Sequence, residues 1–208
     1  MTKRLFDIFV TIIGLLLIWP LLLALSIIVL VKHGTPVFFR QVRPGFLGKP
    51  FVMCKFRTMS NSRDVNGNLL PDNQRLTVFG RFLRSTSLDE LPELINVLKG
   101  EMSLVGPRPL LIEYLDRYTP AQARRHDVRP GITGWAQING RQNIKFSERI
   151  KYDVWYVDHR CMKLDLKILF LTLYRVIQRE GVKSGQDVQE VDDLGAAVIN
   201  SPKTYDER

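Results

Sequence analysis

Cysteine is scarce: only Cys54 and Cys161 occur among 208 residues. They stand in unrelated surroundings, which excludes a disulfide framework and a cysteine metal site, and fits a reducing compartment. The three histidines follow no catalytic or metal-ligand spacing. No internal repeat is present, and no Rossmann or P-loop glycine pattern, so those nucleotide-binding devices are excluded. Acidic residues are outnumbered, 21 Asp and Glu against 30 Lys and Arg, giving a formal net charge of +9 and an isoelectric point of about 9.8. That balance favours an anionic partner: nucleic acid, a phospholipid surface or a phosphorylated substrate. The basic residues are dispersed among glycine turns and helices rather than gathered on a recognition helix, which argues for no nucleic acid.

The longest absence is of charge itself. Residues 8–31, "IFVTIIGLLLIWPLLLALSIIVLV", carry none. A helix of that length measures about 36 Å, enough for a hydrocarbon core of about 30 Å. The run is too long for a signal-peptide core, and no small-residue cleavage site follows it. Pro20 stands in its middle, where it removes a backbone donor and crowds the preceding turn. The two arms, of about 18 Å each, could form one bent crossing or a V that enters and leaves the same face. Flanking charge leans toward the V. Lys3 and Arg4 precede the segment and Lys32, Arg40 and Arg43 follow it, and positive residues prefer the cytoplasm. No second crossing is present. In "LDLKILFLTLYRVIQR", 164–179, Lys167 and Arg175 interrupt the apolar run. Leu166, Leu169, Leu173, Val176 and Ile177 share one face, with basic residues across the other half, as in a core helix or one lying in the membrane interface.

Between these segments, "PVFFRQV" and "KPFVMCKF" flank the turn "RPGFLG" and read as a β-hairpin. "SRDVNGNLLPDNQ" reads as a surface loop. Helices are expected around 75–84, 88–99, 109–117, 120–127, 146–152 and 164–180, with "RPGITGWAQINGR", 129–141, as a structured loop. From Gly181 the chain is polar with little apolar periodicity, as in a flexible tail. The organisation is therefore a membrane helix over 1–33 broken at Pro20, one catalytic domain over 34–180, and a tail over 181–208.

"RSTSLDELPEL", 84–94, sets Asp89 beside Glu90. On this stretch alone, helix capping is the simpler reading: Ser87 with Glu90 makes a capping box, and Leu88, Leu91, Leu94, Ile95 and Leu98 follow as a core stripe. Pro92 contests it. With Ser87 as cap the proline lies inside the first full turn, whereas with Asp89 as cap its missing N–H costs nothing. Adjacent carboxylates do not suit glycoside hydrolysis, which needs two carboxyls facing across a sugar. They suit attack of one carboxylate on phosphorus while its neighbour binds or moves a proton. An anionic nucleophile approaching a diphosphate needs cations, which magnesium and the nearby Arg84, Arg108 and Lys55 would supply.

These residues, with "FFRQVRPG", "KFRTM", "GEMSLVGPRPLL" and "VRPGITGWAQINGR", resemble the bacterial sugar transferase family, and within it the small monotopic phosphoglycosyl transferases of PglC type. The match runs from about Lys3 to Gly181. The resemblance implies a helix-rich α+β fold: an N-terminal re-entrant membrane helix, a small β-hairpin and amphipathic interfacial helices around one cytosolic catalytic domain. It implies transfer of a phospho-sugar from a UDP-sugar to polyprenol phosphate at the cytoplasmic face of the bacterial inner membrane, releasing UMP. By the same likeness Asp89 is the nucleophile and a Mg2+ ligand, and Glu90 deprotonates or positions the acceptor. Arg84, Arg108 and Lys55 hold phosphates, and Asn139 and Arg141 contribute to nucleotide recognition. Trp135 is read as packing rather than as a base platform. Likeness to the PglC-type members favours an acetamido sugar. One departure is plain: Trp19 precedes Pro20 where those relatives have Ser, whose hydroxyl can bond back to a helical carbonyl and aid a bend. A rival reading is another phosphotransferase or a lipid phosphatase using the same acidic pair. No oligomeric interface is readable.

Overall fold

A computed structural model describes residues 2–140, 144–178 and 192–194. Helix α1, Thr2–His33, is 32 residues long, about 48 Å at the usual rise. Helical backbone continues through Pro20, so the proline expected to break the membrane helix interrupts no assigned secondary structure; it removes one backbone bond and crowds the preceding turn. The middle of α1 is bare, with Leu16 and Leu17 at 68% and 75% exposure. Its buried residues fall near its two ends, Asp7 and Thr11 at one, Leu25 and Val29 at the other. By length and composition α1 could cross a membrane.

The expected hairpin is present. Strand β1, Phe38–Pro44, pairs antiparallel with β2, Pro50–Phe56, with Phe38 opposite Phe56 and Pro44 opposite Pro50. Period-2 alternation puts Phe51 and Met53 inside and Lys55 on the same face of β2. Helices α2, Asp72–Arg75, and α3, Val78–Ser85, follow. Then comes the contested stretch. Ser87 adopts a left-handed conformation with φ of 56° and makes no side-chain cap, so no capping box forms. Leu88–Glu90 is a 3-10 turn, and α4, Glu93–Lys99, begins after Pro92, whose φ of −62° suits a helix start. Asn96 ties α4 to the hairpin, accepting from Cys54 N at 3.2 Å and donating to Val52 O at 2.7 Å. Ile95, expected in the core stripe, is 44% exposed.

A second small sheet joins β3, Ser103–Val105, in parallel with β4, Gly131–Thr133. Its strands are too short for alternation to mark them in sequence. Glycine makes the pairing possible: a Cβ on Gly131 would lie 2.0 Å from Gly106 N. After β3 the expected 109–117 helix is a 3-10 stretch, Ile112–Arg117. The 120–127 helix is α5, Pro120–Ala123, followed by a 3-10 turn, Arg124–His126. The loop expected at 129–141 contains β4 and α6, Trp135–Asn139.

Helices α7, Phe146–His159, and α8, Met162–Gln178, complete the described fold. Val97, Met102, Leu104, Tyr156 and Ile168 share one core, which Phe6 and Val10 of α1 join. Leu25 and Val29 pack with Phe56 and Leu83 in another. On α8 the inward face is centred on Asp165 and Ile168, while Leu166, Phe170 and Leu173 are exposed. Of the face read as packing in a core or lying in the membrane interface, Leu166 and Leu173 point outward, and α8 turns an apolar stripe away from the core.

Candidate active site

Four segments converge on the acidic pair. The 3-10 turn carries Asp89 and Glu90, the first turn of α4 carries Glu93, β2 brings Lys55, and the Gly-Pro-Arg-Pro segment after β3 brings Arg108. Lys55 Nζ donates to Glu90 Oε1 at 2.7 Å and lies 3.2 Å from Glu93 Oε1. The Arg108 guanidinium grips both oxygens of Glu90, Nη1 to Oε2 at 3.2 Å and Nη2 to Oε1. Such two-pronged contacts are the strong form of an arginine–carboxylate pair. Burial acts to raise the Glu90 carboxyl, but the charges and hydrogen bonds of Arg108 and Lys55 prevail and hold it well below the usual carboxylate range.

Asp89 is the opposite case. Its residue is 8% exposed, yet no hydrogen bond or ion pair ties its carboxylate to another described residue. Burial, reinforced by the charge of Glu90, pushes it up to about 6, against the pull of Lys55, Arg108 and Arg84. Arg84 is anchored by its Nε on Thr58 Oγ1 at 3.0 Å, which leaves its Nη groups clear of that bond. Glu93 is also raised, to about 7, by burial and by Glu90, with Lys55 opposing. Three carboxylates therefore crowd one turn of backbone, and among the described residues cations fill the oxygens of Glu90 alone.

Of the residues singled out in the sequence, Asp89, Glu90, Lys55, Arg84 and Arg108 come together. Asn139 Nδ2 donates back to Trp135 O within its own helix at 2.8 Å. Arg141 lies outside the described residues. Trp135 packs, its ring stacked 4.8 Å from Trp155, beside a cavity of about 540 Å³ that Lys145, Lys151 and Tyr152 also line. Glu93 escaped the sequence reading. Its signal was there, a carboxylate three residues after Glu90 and so one helical turn along, but it was hidden among leucines.

The donors fit magnesium of the open kind. No group of three or more His, Cys, Asp or Glu able to hold a metal exists among the described residues, so a dedicated protein cage is not what they offer. Magnesium keeps several waters and is commonly bound by one or two carboxylates plus substrate phosphates. The free oxygens of Asp89 match that demand, whereas those of Glu90 are taken.

An acidic pair in a cationic nest, beside a helix long and apolar enough for a bilayer, defines a membrane-associated enzyme. The chain belongs to the bacterial sugar transferase family, whose family model matches residues 1–179. It is 53% identical over 199 residues to the sugar transferase EpsL of Bacillus subtilis (strain 168), covering 96% of this chain and 98% of EpsL. It is 45% identical over 183 residues to a UDP-glucose:undecaprenyl-phosphate glucose-1-phosphate transferase of Klebsiella pneumoniae, covering 83% of this chain and 39% of that protein. To an undecaprenyl-phosphate galactose phosphotransferase of Salmonella typhimurium it is 39% identical over 196 residues, covering 86% and 41%. The chain spans about two fifths of the length of these last two relatives.

Proposed function

We propose that this protein transfers a sugar 1-phosphate from a UDP-sugar to a polyprenol phosphate such as undecaprenyl phosphate, with Asp89 as the nucleophile. The observation that carries the reading is the contrast inside the pair: Asp89 is buried, makes no hydrogen bond or ion pair with another described residue and feels the charges of Lys55, Arg108 and Arg84, while Glu90 is locked. An Asp89 oxygen attacks the sugar-bearing phosphorus of the donor, and the bond from that phosphorus to the bridging oxygen breaks. UMP leaves with the electron pair. An oxygen of the polyprenol phosphate then attacks the same phosphorus and frees the Asp89 carboxylate, giving polyprenyl diphosphate sugar. A carboxyl that titrates at about 6 is mostly ionised at neutral pH, as attack requires.

Of the two roles open to Glu90, positioning has the better support. A carboxylate held that far below its usual range is a poor base at neutral pH, but it fixes Arg108 and Lys55 where the phosphates must sit. Asp89 would also hold Mg2+, which supplies positive charge against the diphosphate when bound. Side-chain reach and charge suit Arg84 and Arg108 to the phosphate oxygens.

The packing of α1 supports a re-entrant path. Near its start, Arg4 donates to Val97 O and Leu98 O, and Asp7 accepts from Ser103 Oγ. Near its end, Leu25 and Val29 enter a core with Phe56 and Leu83, and His33 bonds Thr77. Both ends rest on one domain, which a crossing that separates them by a bilayer would not allow. The bare middle would then dip into the lipid, the outward stripe of α8 would lie in the interface, and the catalytic domain would sit on the cytoplasmic face of the inner membrane. The relatives' names favour glucose and galactose donors over the acetamido sugar that PglC-type likeness suggests.

Intact-protein mass spectrometry with magnesium, no lipid acceptor, and UDP-glucose, UDP-galactose or a UDP-acetamido sugar tests this. A sugar-phosphate adduct that disappears in Asp89→Asn is expected. UMP formed only with acceptor present, and no adduct for an active donor, would overturn the nucleophile. Release of inorganic phosphate from a polyprenyl phosphate would favour a phosphatase instead.

A further inference from the structure

We infer that the buried ion pair Arg125–Asp153 is a positioning device for Arg108, acting through the main chain of the Gly-Pro-Arg-Pro segment. Arg125 and Asp153 are 2% and 1% exposed. Arg125 Nη2 donates to Asp153 Oδ2 at 2.7 Å and also to the carbonyl oxygen of Arg108 at 2.7 Å. Its Nη1 donates to Tyr118 OH at 2.9 Å. One guanidinium plane thus joins α7, the stretch before α5 and the residue that grips Glu90.

The sequence of the segment explains why a side chain is needed there. Pro107 and Pro109 have no N–H, so ordinary backbone pairing has few handles on this stretch. Two are used upstream: Gly106 N donates to Thr133 O at 2.9 Å, and Pro107 O accepts from Gly131 N at 3.0 Å. Both tie the chain to β4, before Arg108. The Arg108 carbonyl is held by Arg125. Lysine could not replace it, because an ammonium lacks the planar fork that meets three acceptors in fixed directions.

Energetics point the same way. A buried ion pair is a weak source of stability, since the desolvation of both ions offsets their attraction. Here Arg125 Nε and Asp153 Oδ1 are left without a hydrogen-bond partner, which makes the pair poorer still as a stabiliser. The third acceptor, the Arg108 carbonyl, gives the pair another reason to be there. Asp153 holds the guanidinium in orientation, and Arg125 holds the peptide from which Arg108 reaches Glu90.

This inference rests on the reading of Arg108 as a residue that serves the substrate phosphates, and the test separates the two. UMP release from an active UDP-sugar with undecaprenyl phosphate is measured on the full chain in detergent, for Arg125→Lys, Arg108→Lys and the double variant. Arg108→Lys should lower kcat/KM about 100-fold, and Arg125→Lys about tenfold through misplacement. Added to Arg108→Lys, the second change should cost less than about twofold, because residues acting as one unit are not additive. The same tenfold loss in both backgrounds would overturn the positioning role and leave Arg125 merely structural. An Arg108→Lys variant as active as the parent would overturn the reading of Arg108, and the positioning role with it. Should Arg125→Lys not fold, Asp153→Asn and Tyr118→Phe carry the same cycle against Arg108→Lys, each removing one contact of the guanidinium.

Discussion

Two charged networks in this molecule use the same chemistry to different ends. At the start of α1, Lys3 Nζ donates to Asp165 Oδ2 at 2.6 Å, to Tyr156 OH at 3.0 Å and to Val105 O at 3.0 Å, while Tyr156 OH donates to Asp165 Oδ1 at 2.6 Å. Both oxygens of that carboxylate are answered. At the acidic pair, Lys55 and Arg108 answer Glu90, but Asp89 is left free and Glu93 has only a share of Lys55. A filled network holds elements together. One with an unanswered anion among cations is arranged for something that arrives from outside.

Breaking each network should therefore give opposite signatures. The largest effect is expected at Asp89: Asp89→Asn should lose about 10⁴-fold or more in UMP release, with a melting temperature equal to or above the parent's, since a crowded charge is removed. A variant that unfolds would erase the contrast. Next comes Lys3→Met, which leaves Asp165 buried without its cation. It should lower stability by about 2–4 kcal/mol, read as a clear drop in the denaturant midpoint, while activity per folded molecule changes far less than in Asp89→Asn.

A smaller effect concerns pH. Asp89 and Glu93 have folded values above their unfolded ones, about 6 and about 7. The neutral forms are thus favoured in the fold, so this stabilising contribution is fully present below the unfolded values near 4 and is lost as pH rises through 6 to 7. Glu90, held low, has the opposite sign and loses its contribution only in strong acid. Thermal melts of Glu93→Gln should exceed the parent's by a wider margin at pH 8 than at pH 5; an equal margin at both would mean that Glu93 does not titrate there. In the same range, kcat/KM of the parent should rise as pH passes through about 6, where Asp89 becomes anionic. The smallest effect is at Asn139, bonded within its own helix: Asn139→Ala should change KM for the donor by less than about threefold.

How much of this was legible in the sequence depends on how far apart the partners lie. The hairpin, the long apolar helix and the acidic pair announce themselves locally, through alternation, length and adjacency. The cations near Asp89 were readable as types, because an acidic pair expected to meet a phosphate substrate calls for positive charge beside it. The misses are of another kind. Lys3 and Arg4 were read as flanking charges that set membrane topology, yet both are engaged with residues about a hundred positions or more away, and such pairings leave no periodic trace. The parallel β3–β4 pair was hidden because its three-residue strands are shorter than any alternation, and "RPGITG" looked like turns when its glycines serve close backbone approach. Ser87 and Glu90 matched a capping box by spacing, but Pro92 shifted the helix start to Glu93 and freed Glu90 for the cations.

The hold of α1 on the domain bears on how such a protein can be handled and how it can change over generations. Arg4 donates to the last-turn carbonyls of α4, which helix ends otherwise leave unanswered, and Phe6, Val10, Leu25 and Val29 fill space in two cores. An anchor that only tethers could be trimmed away to yield a soluble enzyme, or exchanged for another anchor. This one is a building block of the folded unit. Helix and domain are inherited together, and a version without α1 would need a substitute for the helix, not merely its removal.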